Sequence, residues 1–170
     1  MAVFLDIETT GLNPHQCQVT IIGMKINGEI RLWKSWESAD EQSMILSALE
    51  DVKKVRETIV GFNNLKFDVP FMLKRLEVLG RPSPELWSLH DMKWFDLYQY
   101  LGDDFRSQRY WIDKVNITEE HPELRGRDMP TYFKDGDYQK IEMHVTDDLN
   151  TSEALFKYLK QRNPEFLRFE

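Results

Sequence analysis

The stretch AVFLDIETTGL (residues 2–12) has the apolar, β-branched character of a central strand and runs into a tight turn at Thr10 and Gly11. Two acids interrupt it. Asp6 and Glu8 stand two residues apart, so on a strand both carboxylates project from one face near the strand's end. Like charges held that close raise each other's pKa and destabilise the fold unless a cation lies between them. Asp6 is flanked by Leu5 and Ile7, which argues against a merely solvated strand end and for a metal site.

Further along, CQVTIIGMKI (17–26), a hairpin turn at Asn27-Gly28 and EIRLWKSW (29–36) read as two antiparallel strands. Residues 40–54 combine an acidic start, apolar spacing at Met44, Leu46 and Leu49 and a basic end, which suits a helix and its dipole. TIVGFN (58–63) is a fourth strand. DVPFMLKRLEVLG (68–80) is a helix with Asp68 near its N-cap, proline in its first turn and Gly80 just past its end. Residues 81–137 are less regular, with short helices expected around FDLYQYL (95–101) and RYWIDKV (109–115), and with Trp94 and Asp96 in structural roles at a strand-to-helix junction. A strand meander followed by strand–helix alternation predicts an α/β fold: one mixed central β-sheet flanked by helices. A chain of 170 residues, 41% of them hydrophobic, suits one well-buried core, so residues 1–170 read as a single domain.

Near the end, EMHVTDDLNTSEALF (142–156) reads as a helix whose stripe of Ile141, Val145, Leu149, Ser152, Phe156 and Leu159 faces the core. On that wheel Asp147 points to water, whereas Asp148 stands at the margin of the apolar face with His144 one turn earlier on the same side. A carboxylate at a core margin needs a partner or a metal.

The formal net charge of -7 argues against a general basic surface for nucleic acid, but not against an enzyme that meets a phosphodiester through metal ions. A single cysteine, Cys17, cannot form an internal disulfide and reads as core packing. The absence of a charged-then-apolar leader and of a long apolar run predicts a soluble protein of the cytoplasm or another intracellular compartment, away from membranes.

Asp68 alone would read as an N-cap aspartate. Beside Asp6 and Glu8 it gains weight, because strand ends and helix starts in α/β sheets gather at one edge. With Asp148, four carboxylates from three segments match what two Mg²⁺ or Mn²⁺ ions at a phosphoryl-transfer site require. FLDIETTGL (4–12), GFNNLKFDVPFM (61–72) and HVTDDLNTSEALF (144–156) resemble, in order and spacing, the three motifs of the DEDD superfamily of 3′-5′ exonucleases, which have a ribonuclease H-like fold. The second motif is most similar to that of the exonuclease domain of family B DNA polymerases and of related small standalone exonucleases.

The resemblance implies that Asp6, Glu8, Asp68 and Asp148 bind two metal ions, with Asp6 bridging them. It further implies that Thr10, Gly11 and Leu12 line the 3′-terminal nucleotide and that Asn63, Asn64 and Phe67 hold the entering strand. Leu12 and Phe67 suit ordinary packing equally well. The superfamily divides by its general base, a tyrosine four residues before the last aspartate or a histidine five before it. Here the residue four before Asp148 is His144 and the one five before is Met143, so the spacing belongs to one branch and the residue type to the other. An unperturbed imidazole, with a pKa of about 6.5, accepts a proton from water near neutral pH better than a tyrosine does, which makes His144 the candidate base; the alternative is a bystander histidine. His15, His90 and His121 have no acidic partner at ligand spacing. The expected activity is metal-dependent removal of nucleoside monophosphates from the 3′ end of single-stranded DNA. The alternatives are an exoribonuclease of the same fold and a non-catalytic nucleic-acid-binding module. A proofreading role would draw on a polymerase or another replication partner.

Overall fold

The computed structural model describes residues 2–81, 89, 91–102 and 106–163; His90 lies outside them. β1 (Ala2–Thr9) occupies the middle of the sheet, as its apolar composition demands. β2 (Val19–Ile26) and β3 (Glu29–Lys34) extend the sheet on one side, each antiparallel to its neighbour. Asn27 and Gly28 connect them with φ of 53° and 84°, the two left-handed residues that a tight hairpin turn requires. β4 (Thr58–Gly61) and β5 (Trp94–Asp96) continue on the other side in parallel, giving the order β3-β2-β1-β4-β5. The mixed sheet predicted from the sequence is the one observed.

Alternation along β1 sends its two sets of side chains to different helices. Val3, Leu5 and Ile7 pack under α1 (Glu41–Val52) and α2 (Asp68–Val78), against Met44, Ile45, Leu49, Val69 and Met72. Phe4, Asp6 and Glu8 leave the opposite face, which is covered by α6 (Tyr138–Arg162), a helix of 25 residues. α3 (Leu97–Leu101), α4 (Gln108–Lys114) and α5 (Met129–Asp135) complete that layer. α6 lies close on the sheet because Gly23 of β2 has no side chain: a Cβ there would come within 2.9 Å of Leu149 Cδ1 and 3.0 Å of Val145 Cγ2.

Two sequence expectations need correction. Ile141, Val145, Leu149 and Ser152 of α6 are buried as the wheel requires, but Asp147 does not point to water. It is 4% exposed, and its Oδ2 accepts the backbone N–H of His121 at 2.6 Å. A wheel registers only the stripe on the sheet; here the segment that follows α4 folds over a second flank of α6 and needs an acceptor for its N–H. The same region contains α5, which the irregular composition of 81–137 concealed. Pro130 in its first turn and Gly136 at its end, with φ of 77°, were the available signals. Among the described residues, no helix is long and apolar enough to cross a membrane.

Candidate active site

Three elements converge where β1 ends. Asp68 does not cap its own helix, whose N-cap residue is Phe67 and carries no side-chain cap bond. Instead its Oδ1 accepts the backbone N–H of Ile7 at 3.2 Å, which ties the first turn of α2 to β1 between Asp6 and Glu8. Asp148 and His144 arrive from α6 on the other side. His144 Nδ1 lies 3.5 Å from Asp148 Oδ2, and its Nε2 lies 3.8 Å from Glu8 Oε1. The imidazole thus stands between two carboxylates, slightly too far from either for a good hydrogen bond. One donor atom each from Glu8, His144 and Asp148 lie within 4.8 Å of one another. The spacing of four residues therefore brings His144 into the carboxylate cluster.

Burial raises the pKa of all four carboxyl groups, and neighbouring carboxylates add to it. Asp6 and Glu8 are held well above the ordinary carboxylate range by burial first, then by the charges of Asp148 and Asp68. Asp68 is pushed up to about 8, by burial and then by the charges of Asp96 and Asp148. Asp148 is pushed up to about 6 by burial, with His144 acting in the opposite sense. No lysine or arginine forms an ion pair with any of the four among the described residues. Asp6 Oδ2 and His144 Nε2 are buried without a hydrogen-bond partner. Such a set of hard oxygen donors, costly to ionise together and with no lysine or arginine in direct contact among the described residues, fits divalent cations.

The turn beyond β1 is fixed by its own bonds. Thr10 Oγ1 accepts from the backbone N–H of Gln18 at 2.9 Å, and Gly11 has a φ of 153° with Cys17 Sγ only 2.7 Å from where a Cβ would stand. Cys17, half-buried against the first core cluster, thus packs beneath the turn as the sequence suggested. Leu12 at the tip is 83% exposed. Arg75 of α2 anchors this loop from below, bonding Glu41 through two nitrogens at 2.8 and 2.5 Å and donating to the carbonyl of Pro14 at 2.8 Å.

Across the site, Asn64 is 1% exposed and donates from Nδ2 to the carbonyl of Leu5 at 2.9 Å, locking the loop after β4 to β1. Gly61 makes room for it: a Cβ there would fall 1.7 Å from Asn64 Oδ1. Asn63, with φ of 68°, has its backbone N–H bonded to Asp96 Oδ1 at 3.0 Å, and Asp96 also receives the N–H groups of Leu65, Tyr98 and Gln99. Asp96 is structural, as its junction position implied. Phe67 packs its ring against Phe71 at 5.3 Å, half-buried at the margin of the core. Sequence reasoning did not single out Gln108, whose Nε2 donates to the carbonyl of Asp148 at 3.0 Å and to Thr151 Oγ1 at 2.7 Å. Nor did it single out Glu119, paired with Arg109 at 2.8 Å and near enough to His144 and Asp147 to feel their charges. Both act across the fold, and no local pattern announces them.

The family model of the RNase_H superfamily matches residues 3–161. Among solved structures, the chain is similar to the family B DNA polymerase from the hyperthermophilic archaeon Pyrobaculum calidifontis, with a TM-score of 0.75 and 22% identity over 93% of this chain and 24% of that one. It is also similar to a product-bound exonuclease I, with a TM-score of 0.59 and 12% identity over 99% of this chain and 45% of that one. A structure of SSB/exonuclease I in complex with the inhibitor CFAM gives the same TM-score and identity, over 99% of this chain and 43% of that one. The chain therefore spans less than half the length of each of these structures. Curated protein sequences offer no match to it. The match along nearly the whole described chain, on a mixed sheet whose central strand carries the acidic cluster, assigns the family: the chain belongs to the RNase_H superfamily.

Proposed function

We propose that this protein is a metal-dependent 3′-5′ exonuclease that releases nucleoside monophosphates from single-stranded DNA. The observation that carries the reading is the convergence of Asp6, Glu8, Asp68 and Asp148, all with raised pKa, with His144 between Glu8 and Asp148. Two Mg²⁺ or Mn²⁺ ions held by these carboxylates would polarise the phosphate and lower the cost of its developing charge. The residues of the chain supply the rest. His144 takes a proton from the water that attacks the terminal phosphorus. The bond to the 3′ oxygen of the preceding nucleotide breaks and that oxygen takes up a proton from solvent, giving a nucleoside 5′-monophosphate and a strand one unit shorter with a 3′-hydroxyl. Thr10, Gly11 and Leu12, on the turn anchored by Arg75, meet the terminal nucleotide, and Asn63, Asn64 and Phe67 border the approach from the other side.

DNA is preferred over RNA in this reading on the resemblance of the GFNNLKFDVPFM motif to that of family B DNA polymerases. The similarity to part of such a polymerase also supports work beside a polymerase or another replication partner. Digestion of 5′-labelled DNA and RNA oligonucleotides of equal sequence, with Mg²⁺, Mn²⁺ or EDTA, tests the proposal. The expected result is a ladder shortening from the 3′ end, faster on DNA and absent in EDTA. A faster ladder on RNA would change the substrate, and a single internal cut would remove the exonuclease assignment.

A further inference from the structure

The turn that carries Thr10, Gly11 and Leu12 belongs to a loop, residues 10–18, that leaves β1 and returns as β2. Its two ends are bonded to each other: the Thr10 N–H to the Gln18 carbonyl and the Gln18 N–H to Thr10 Oγ1, both at 2.9 Å. Inside it, the N–H groups of Gln16 and Cys17 turn back to the carbonyl of Asn13 at 3.0 and 2.8 Å. Among the described residues, the stretch 12–17 makes one hydrogen bond to the rest of the chain, from Arg75 Nη1 to the carbonyl of Pro14. The guanidinium that makes it is fully committed. Its Nε and Nη2 bond the two oxygens of Glu41 at 2.8 and 2.5 Å, and Glu41 Oε1 also accepts the N–H of Val19, the first residue of β2, at 2.8 Å. One pair of side chains, each 10% exposed, thus holds the loop at Pro14 and again where it re-enters the sheet. Glu41 opens α1 and Arg75 stands in the last turn of α2, the helix ends that favour an acid and a base.

A buried ion pair adds little to stability, because removing both charges from water costs about what their attraction returns, and apolar residues of similar volume often serve as well. What this pair supplies and an apolar one could not is direction. A planar guanidinium fixes three acceptors at set angles, where a lysine offers only a point charge. We propose that Glu41 and Arg75 are positioning residues that set the height of the Thr10–Leu12 turn over the carboxylates, and with it the fit of the 3′-terminal nucleotide. This rests on the nuclease reading above and adds what holds its binding turn in place. Among the described residues, neither Glu41 nor Arg75 bonds Asp6, Glu8, Asp68 or Asp148. The pair therefore acts on the turn and leaves the cluster to itself.

A double variant of the full chain, Glu41→Leu with Arg75→Met, tests this, because it removes both ties and leaves no buried charge behind. It should melt close to wild type. Hydrogen exchange at the Thr10 and Gln18 amides should quicken about tenfold or more, while that of Ile7, bonded to Asp68, stays as it was. In steady state with Mg²⁺, KM for an oligonucleotide of six deoxythymidines should rise about tenfold, the equivalent of one lost contact, with kcat changed by less than about threefold. Mn²⁺ affinity, read by titration calorimetry, should be unchanged. A pair that serves stability alone would lower the melting temperature and leave KM of the folded protein where it was. An unchanged KM, or a loss confined to kcat, therefore overturns the positioning role. Arg75→Lys keeps the charge opposite Glu41 but lacks the fork, so its KM should rise in the same sense, and it decides the matter if the double variant does not fold. A wild-type protein that shortens no 3′ end in either metal overturns the nuclease reading alone. The exchange of Thr10 and Gln18 then decides whether the pair holds the turn.

Discussion

Gly23 stands directly opposite Asp6 across the β1–β2 ladder, and α6 comes down on the space where its side chain would be, Leu149 and Val145 at 2.9 and 3.0 Å. One absent methyl group thus sets the height at which α6 presents His144 and Asp148 to the carboxylates of β1. Gly23→Ala should cost about 1–3 kcal/mol of stability through overpacking. Because a displacement near 1 Å at a reacting centre costs about a hundredfold, cleavage should fall by far more than the melting temperature suggests. Single-turnover rates measured well below the variant's melting temperature check this; a rate equal to wild type would show that α6 can shift without disturbing the site.

The carboxylates tie stability to pH in a definite direction. Asp6, Glu8 and Asp68 have folded-state pKa values above their ordinary ones, Asp68 at about 8. The folded state therefore binds more protons than the unfolded one. For Asp68 the favourable contribution is complete below the ordinary carboxylate range and is lost as pH rises towards about 8, and Asp6 and Glu8 act in the same direction. In EDTA the melting temperature should fall steadily between pH 5 and about pH 8, and Mg²⁺ or Mn²⁺ should reverse much of the fall by binding the folded state alone. Asp68→Asn keeps an acceptor for the Ile7 N–H and removes a charge, so it should melt higher than wild type at the alkaline end and show a shallower slope. A flat profile in EDTA would mean that the cluster is not under electrostatic stress.

The sheet was legible because β1, β2 and β4 are short apolar runs buried on both faces and the Asn27-Gly28 pair follows turn chemistry, signals that act within a few residues. The acidic cluster was legible for a related reason: Asp6 and Glu8 are neighbours on one strand face, and Asp148 and His144 neighbours on one helix face. What escaped depends on contacts between distant segments. The burial of Asp147 under the His121 backbone spans 26 residues, and the bond of Gln108 to Asp148 spans 40. Neither is encoded in a periodicity.

The two adjacent aspartates should separate cleanly in experiment. Asp148→Ala removes a buried charge from a repelling cluster, so it should abolish cleavage without lowering the melting temperature in EDTA. Asp147→Ala leaves the His121 N–H without its acceptor and should cost about 1–3 kcal/mol. Its cleavage rate, measured on folded protein, should fall less than that of the Asp148 variant. Loss of activity in Asp147→Ala with retention in Asp148→Ala would shift the final motif by one residue.

His144 carries the sharpest of these outcomes, because its residue type and its spacing point to different branches of one superfamily. In the structure its ring lies between Glu8 and Asp148, with Nε2 buried and unpartnered, and the segment at Gly126 closes over it: a Cβ on Gly126 would lie 3.5 Å from Nε2. The half-buried ring thus faces the carboxylate cluster. His144→Ala should lower the single-turnover rate by about 10² to 10⁴ with little change in substrate affinity, the signature of a lost general base. It should also remove one ionisation from the pH–rate profile. His144→Tyr should restore part of the rate, since a hydroxyl at this spacing can orient the water without being basic. If the alanine variant keeps both rate and profile, the cations and carboxylates activate water unaided, and His144 serves only to buffer the charge between Glu8 and Asp148. Its removal should then steepen the pH dependence of melting in EDTA, a readout independent of catalysis.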